Sequence, residues 1–193
     1  MPKSPTVRFI DFYDQERYLF EVVGPRFRSQ NALSAFDFFC IIIWKANRAK
    51  SIIARRLMVT HKSSLDQAVQ ALTRQIARVT SDQDRLEVLT EDWGFRLPMA
   101  SAILTVLYPD QFTVYDVRVC KVLNGFKSLA NTNDPVRRWK EYCAYVMAVQ
   151  QAVQQPLSLR DKDRWLWGQS FAQQLHQDIE HRFSAKSPAN SDA

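Results

Sequence analysis

Glycine is scarce in this 193-residue chain, occurring only as Gly24, Gly94, Gly125 and Gly168. That scarcity, with no stretches of alternating β-branched residues, argues against a sheet-built fold. Cysteine is equally sparse: Cys40, Cys120 and Cys143 lie far apart and form no CxxC pair. Neither a structural zinc site nor an iron–sulfur cluster therefore has a ligand set. His61, His176 and His181 share no metal-ligand spacing either. No basic-then-apolar leader opens the chain, and the longest apolar run, Phe36 to Trp44, contains Asp37 and is too short to span a bilayer. From these absences the sequence predicts a cytoplasmic protein without metal, cofactor or membrane partner, and a monomer is expected.

What is present is ordinary for a folded domain: 46% hydrophobic and 24% charged residues. A chain of this length buries roughly 70% of its unfolded surface, so it needs no disulfide to be stable. Lys and Arg number 26 against 20 for Asp and Glu, a net charge of +6. An excess of that size accommodates a nucleic-acid partner without requiring one.

Helix signals are frequent. Ser64-Leu-Asp-Gln67 reads as a capping box opening a helix to about Val79. Ser81 followed by Asp82 and Asp84 opens the next, with acidic residues where the helix dipole favours them. Asp134-Pro135 is a cap with proline at the first helical position. Ser158-Leu-Arg-Asp161 caps a last long helix on which Trp167, Phe171, Leu175, Ile179 and Phe183 recur every fourth residue, predicting a buried stripe; Trp165 and Trp167 are both expected in the core. The run Leu33 to Ile43 is apolar nearly all round and belongs at the centre of a bundle. The fold expected is all-α: a compact helical bundle of two small lobes. Residues 1–30 form an N-terminal segment packed on a helical domain of residues 31–183, and the small, polar residues 184–193 form a flexible tail.

The informative segment is Trp93 to Leu123, WGFRLPMASAILTVLYPDQFTVYDVRVCKVL. Gly94 supplies the left-handed residue that closes one helix. Pro98 fits the first turn of the next, whose buried face is Met99, Ala102, Ile103, Val106 and Leu107. Tyr108-Pro109-Asp110 stops it, Phe112 to Val114 is extended, and Asp116 stands at the start of a helix from Val117 to Leu123.

The order of turn, Ala-Ser helix, proline loop and apolar-Asp before a helix resembles the helix-hairpin-helix superfamily of base-excision DNA glycosylases. That family's LPGVGxKTA hairpin matches Gly94-Phe-Arg-Leu-Pro-Met-Ala100, and its V-D-T-H-like segment matches Val114-Tyr-Asp-Val-Arg118. The run Leu33 to Lys45 is similar to the family's central helix, and Leu159 to Trp167 to the closing helix of its small members; the likeness spans residues 31 to 183. It implies a double-stranded DNA partner, a nucleotide flipped out of the duplex, and Asp116 as the catalytic carboxylate. Such a carboxylate stabilises the positive charge that develops on the sugar as the bond to the base breaks. It implies phosphate binding by the hairpin residues Gly94, Arg96 and Leu97, aided by Arg118, Lys121, Arg48 and Lys50. Trp44, Lys45 and Asn47 are the implied base pocket or wedge. Repair of damaged bases and defence against modified phage DNA are both open.

The chain departs from the family pattern. Arg96 stands at the second hairpin glycine, Arg118 replaces the histidine after the aspartate, and Pro98 occupies the place of the Schiff-base lysine. Base removal without strand cleavage by that route is expected.

Bland explanations stand beside each reading. Asp116 suits an ordinary helix cap. Trp44 to Arg48 suits a helix terminus whose cations complement the dipole. Arg48, Lys50, Arg55, Arg56 and Lys62 suit a solvated face, although with Arg96, Arg118 and Lys121 they could form one patch around Asp116. Arg137, Arg138 and Lys140 are expected to face solvent, and pocket shape is expected to depend on Phe9 to Tyr13 and Tyr145 as well as Trp44. A non-catalytic helix-hairpin-helix DNA-binding or adaptor domain is the alternative function, and a helical interaction protein of incidental charge is a third.

Overall fold

The computed structural model describes residues 9–183 and is all-α, with no strand among them. The first 8 residues and the expected tail, 184–193, lie outside the described residues. The helices are α1 (Gln15–Tyr18), α2 (Gly24–Gln30), α3 (Ala35–Ala46), α4 (Lys50–His61), α5 (Leu65–Arg78), α6 (Asp82–Glu87), α7 (Leu97–Leu107), α8 (Val117–Val122), α9 (Pro135–Ala152) and α10 (Leu159–Glu180). Two wider π turns are built into these helices. Leu19–Val23 joins α1 to α2 as one rod, and Val88–Asp92 prolongs α6.

The helix starts foreseen from sequence hold, and for the reasons given. Ser64 and Gln67 form the reciprocal capping box of α5. Ser81 accepts from the Asp84 N–H, Asp134 from the Arg137 N–H and Ser158 from the Asp161 N–H, each satisfying a donor that a helix start would otherwise leave bare. Gly94, at φ +63°, closes the α6 rod in the left-handed region, and Trp93 to Arg96 turns the chain into α7.

The enclosed element is α7 rather than α3. Every α7 residue except Pro98 is buried, whereas α3 buries Asp37, Phe38, Ile41 and Ile42 and leaves Phe36 exposed. The two helices pack on each other, and the α1–α2 rod crosses α7 as well. Gly24 is the crossing point. Its backbone is ordinary helix, but a Cβ there would lie 2.5 Å from the Val106 carbonyl oxygen, so only glycine allows the approach.

Asp37, the one acidic residue of the apolar run, is buried and doubly partnered. Tyr18 Oη donates to its Oδ1 at 2.8 Å and Arg26 Nη1 to its Oδ2 at 2.5 Å. A buried carboxylate is costly unless paired and hydrogen-bonded; here the pairing fixes the N-terminal rod to α3. Burial, then the adjacent carboxylate, push the Tyr18 phenol up to about 12.

The aromatic stripe of α10 is a correction. Trp167, Phe171, Leu175, Ile179 and Phe183 are exposed, from 39% at Leu175 to 69% at Phe183, and Trp165 is half exposed as well. The buried residues of α10 are Leu159, Asp163, Leu166 and Ser170. They form a parallel stripe at helical spacing on another face, and α8 and α9 pack on this helix. Large side chains marked the wrong face because the inward one carries an aspartate and a serine.

Candidate active site

Asp116 owes its position to the extended run before it. Phe112 to Tyr115 is buried without a partner strand, so its backbone polar groups need side-chain partners. Two tyrosines of α9 supply them. Tyr142 Oη accepts from the Thr113 N–H at 3.1 Å and donates to the Thr113 carbonyl at 2.6 Å; Tyr145 Oη donates to the Val114 carbonyl at 2.9 Å. Ser101 Oγ of α7 accepts from the Tyr115 N–H at 2.9 Å. The run is thereby clamped from both sides, and the next residue is delivered to the head of α8.

There Asp116 caps the helix and does more. Its Oδ1 accepts from the Arg118 N–H at 2.9 Å, and its Oδ2 accepts from Lys45 Nζ at 2.7 Å. The ion pair is partly buried, with side chains 15% and 21% exposed for Lys45 and Asp116. Both residues line a cavity of about 670 Å³, within the size range of small-molecule sites. Trp44 and Lys45 of α3, Val114, Asp116, Val117 and Arg118 around the head of α8, Glu16 of α1, and Arg160, Asp163, Arg164 and Trp167 of α10 contribute to its wall.

Arg160 organises the α10 side. Its Nη2 donates to Glu16 Oε1 at 2.7 Å, its Nη1 pairs with Asp163 Oδ2, and its guanidinium carbon lies 5.1 Å from the ring centres of both Trp44 and Phe20. Cation–π contact on two rings fixes Trp44 as a wall of the cavity. On the same cavity, the Arg118 guanidinium lies over Trp167 at 5.3 Å. The cavity thus combines flat aromatic and guanidinium surfaces with three carboxylates, those of Glu16, Asp116 and Asp163.

Asp163 is 2% exposed. Burial raises its carboxyl to about 6; Arg160 and Lys45 oppose the rise and Asp116 adds to it. The stability consequence has a definite sign. From about 4 to about 6 the folded protein binds the proton that the unfolded chain releases, so this group's contribution falls as pH rises through that window and is flat below it. Urea unfolding across pH should show this slope in wild type relative to Asp163→Asn, amounting to about 2–3 kcal/mol.

The residues singled out from sequence separate into groups. Trp44, Lys45, Asp116 and Arg118 come together at the cavity. Gly94, Arg96 and Leu97 line a second, more polar hollow of about 480 Å³ with Asn131 to Asn133 and Arg138. Asn47, Arg48 and Lys50 are exposed and line neither; Lys50 Nζ donates to Asn47 Oδ1 at 2.6 Å. Lys121 is exposed and bonds Gln174 at 2.8 Å. Among the cations of the anticipated patch, only Arg118 lines the Asp116 cavity. Arg56 instead donates to the Gly94 carbonyl at 2.8 Å and lies over Phe95. Arg138 does not simply face solvent: it bonds Thr90 at 3.0 Å and the Thr132 carbonyl at 2.9 Å. Tyr145 is buried beneath the cavity wall, and Phe9, Ile10 and Tyr13 are exposed outside it.

Sequence reasoning missed Glu16, Arg160, Asp163 and Arg164. The one available signal was Arg-Asp-Lys-Asp-Arg at residues 160–164, a density of charge at the start of a helix otherwise read by its aromatics. Among the described residues no group of His, Cys, Asp and Glu is arranged to hold a metal ion, and no helix is long and apolar enough to cross a membrane. Comparisons of the chain with protein-family models, with curated proteins and with solved structures found no match.

Proposed function

We propose that this protein is a DNA glycosylase that hydrolyses the N-glycosidic bond of a damaged or modified base in double-stranded DNA. The observation that carries the reading is Asp116: a carboxylate held at both oxygens, on the wall of a cavity large enough for a nucleotide, between aromatic surfaces suited to a planar base. A base flipped out of the duplex stacks against Trp44 or Trp167, and Asp116 lies beside its sugar. As the base departs with the bonding electrons, the sugar becomes cationic, the carboxylate stabilises it, and water adds at the anomeric carbon. Arg118 and Arg164 supply positive charge for the phosphates flanking the flipped nucleotide. With Pro98 at the family's lysine position, the expected products are a free base and an intact strand with an abasic site.

A non-catalytic DNA-binding or adaptor role is the second reading, favoured by one observation: the hairpin residues Gly94, Arg96 and Leu97 line a different hollow from Asp116. Mass spectrometry of bases released from damaged genomic DNA and from modified phage DNA separates the two. Free base from either source supports the enzyme and also distinguishes repair from defence. Release from neither, together with salt-dependent binding to a duplex carrying an abasic-site analogue, supports the adaptor. No binding even at low salt removes DNA from both.

A further inference from the structure

We infer that Asp163 is the proton donor to the departing base, so that the cavity works with two carboxyl groups in different roles. This rests on the glycosylase reading and adds to it a residue and a class of substrate. Asp116 and Asp163 line one cavity from different helices, the first at the head of α8 and the second one turn into α10. Their surroundings differ. Asp116 is partly exposed, held by Lys45 and a backbone N–H; Asp163 is buried, paired with Arg160 at Oδ2, and lines the cavity from the packed side of α10. The charged and titratable groups around Asp163 are Arg160 on its own helix, Lys45 from α3, Asp116 from α8, and the phenols of Tyr142 and Tyr145 from α9. Glu16 of α1 reaches the cluster through Arg160. The balance leaves the Asp163 carboxyl near 6, so it carries a proton at moderately acid pH and gives it up readily. Two carboxyl groups whose environments set them apart in this way divide into an acid and an anion.

The chemistry balances. The bond from the anomeric carbon to the base nitrogen breaks, and its electrons go to the base. Asp163 transfers its proton to a ring nitrogen or carbonyl oxygen of that base, which leaves neutral. Water adds to the anomeric carbon, and its surplus proton passes to Asp116 and on to solvent. Asp163 is then reprotonated from solvent. A base that is already cationic leaves neutral without this proton. The inference therefore assigns Asp163 to substrates with uncharged leaving bases.

The test compares wild type, Asp163→Asn and Asp163→Glu on two duplexes, one carrying a neutral base (uracil or hypoxanthine, whichever wild type releases) and one carrying cationic 7-methylguanine. Release of each is followed from pH 5 to 8. With the neutral base, the wild-type rate is expected to fall about tenfold per unit above about pH 6, and Asp163→Asn to lose about 10²–10⁴-fold with no remaining slope. With 7-methylguanine the loss should be far smaller than with the neutral base, and urea unfolding together with binding to the abasic duplex reports separately that the variant is folded. Asp163→Glu should recover the slope. Equal loss on both substrates, no loss on either, or wild-type release of the cationic base alone overturns the proton donor. Absence of any release by wild type, from these duplexes and from damaged genomic and modified phage DNA alike, overturns the glycosylase reading itself, and Asp163's role with it.

Discussion

Asp116→Asn is expected to lower base release by about 10²–10³-fold while leaving the protein folded and able to bind an abasic duplex. The amide keeps the shape of the side chain, and its oxygen can still accept the Arg118 N–H that starts α8. What disappears is the negative charge beside a sugar that turns positive only in the transition state, so the loss should appear in the chemical step rather than in affinity. Lys45 is freed by the same substitution, because its Nζ, 2.7 Å from Oδ2 in the native protein, loses its counter-ion inside the cavity. Binding to DNA should accordingly hold or tighten at low salt, and its salt dependence should steepen as a further cation meets phosphate. Single-turnover release and a salt titration, made on the same preparation, check both parts. Undiminished release would sink the assignment of Asp116.

Arg160→Ala should be the most destabilising of the single substitutions at the cavity, costing about 3–5 kcal/mol near neutral pH. The guanidinium has Asp163 on one side and Glu16 on another, with Phe20 and Trp44 against its face. Truncation leaves Asp163 in a buried site without its ion-pair partner, and removes the contact that ties α1 to α10. Because Asp163 without Arg160 holds its proton to higher pH, the deficit should shrink as pH falls from neutral toward about 6 and stay flat below it, where native Asp163 is protonated too. Urea unfolding of the variant at pH 5 and pH 7.5 measures the difference. A penalty that is equal at both values would show that Arg160 acts by packing alone.

The all-α fold and most helix starts were legible because they depend on local chemistry. A serine or aspartate followed by its acceptor-seeking N–H needs no tertiary information, and Ser64, Ser81, Asp134 and Ser158 all cap where their neighbours indicate. Asp116 and Lys45 were legible as individual residues, yet their pairing spans 71 positions and follows from how α3 meets α8. The α10 half of the cavity was obscured for a different reason. Its inward stripe, Leu159, Asp163, Leu166 and Ser170, is less apolar than the outward one, and hydrophobic periodicity selects the larger side chains. An aspartate on a buried stripe becomes recognisable only when its partner, Arg160, is seen beside it. The N-terminal rod contributed Glu16 without warning, since no motif marks a carboxylate that closes a site from 144 residues away.

That last span fixes when the cavity can exist. Its wall takes residues from Glu16 to Trp167, and Glu16 has no Arg160 to meet until α10 has been made. A ribosome must therefore deliver nearly the whole domain before the first and last walls join, although α3, α5 and α7 can already be packing. Nascent chains arrested before residue 160 should carry helices and part of the core but an open, unformed site, and ligand binding should appear only as α10 clears the exit tunnel.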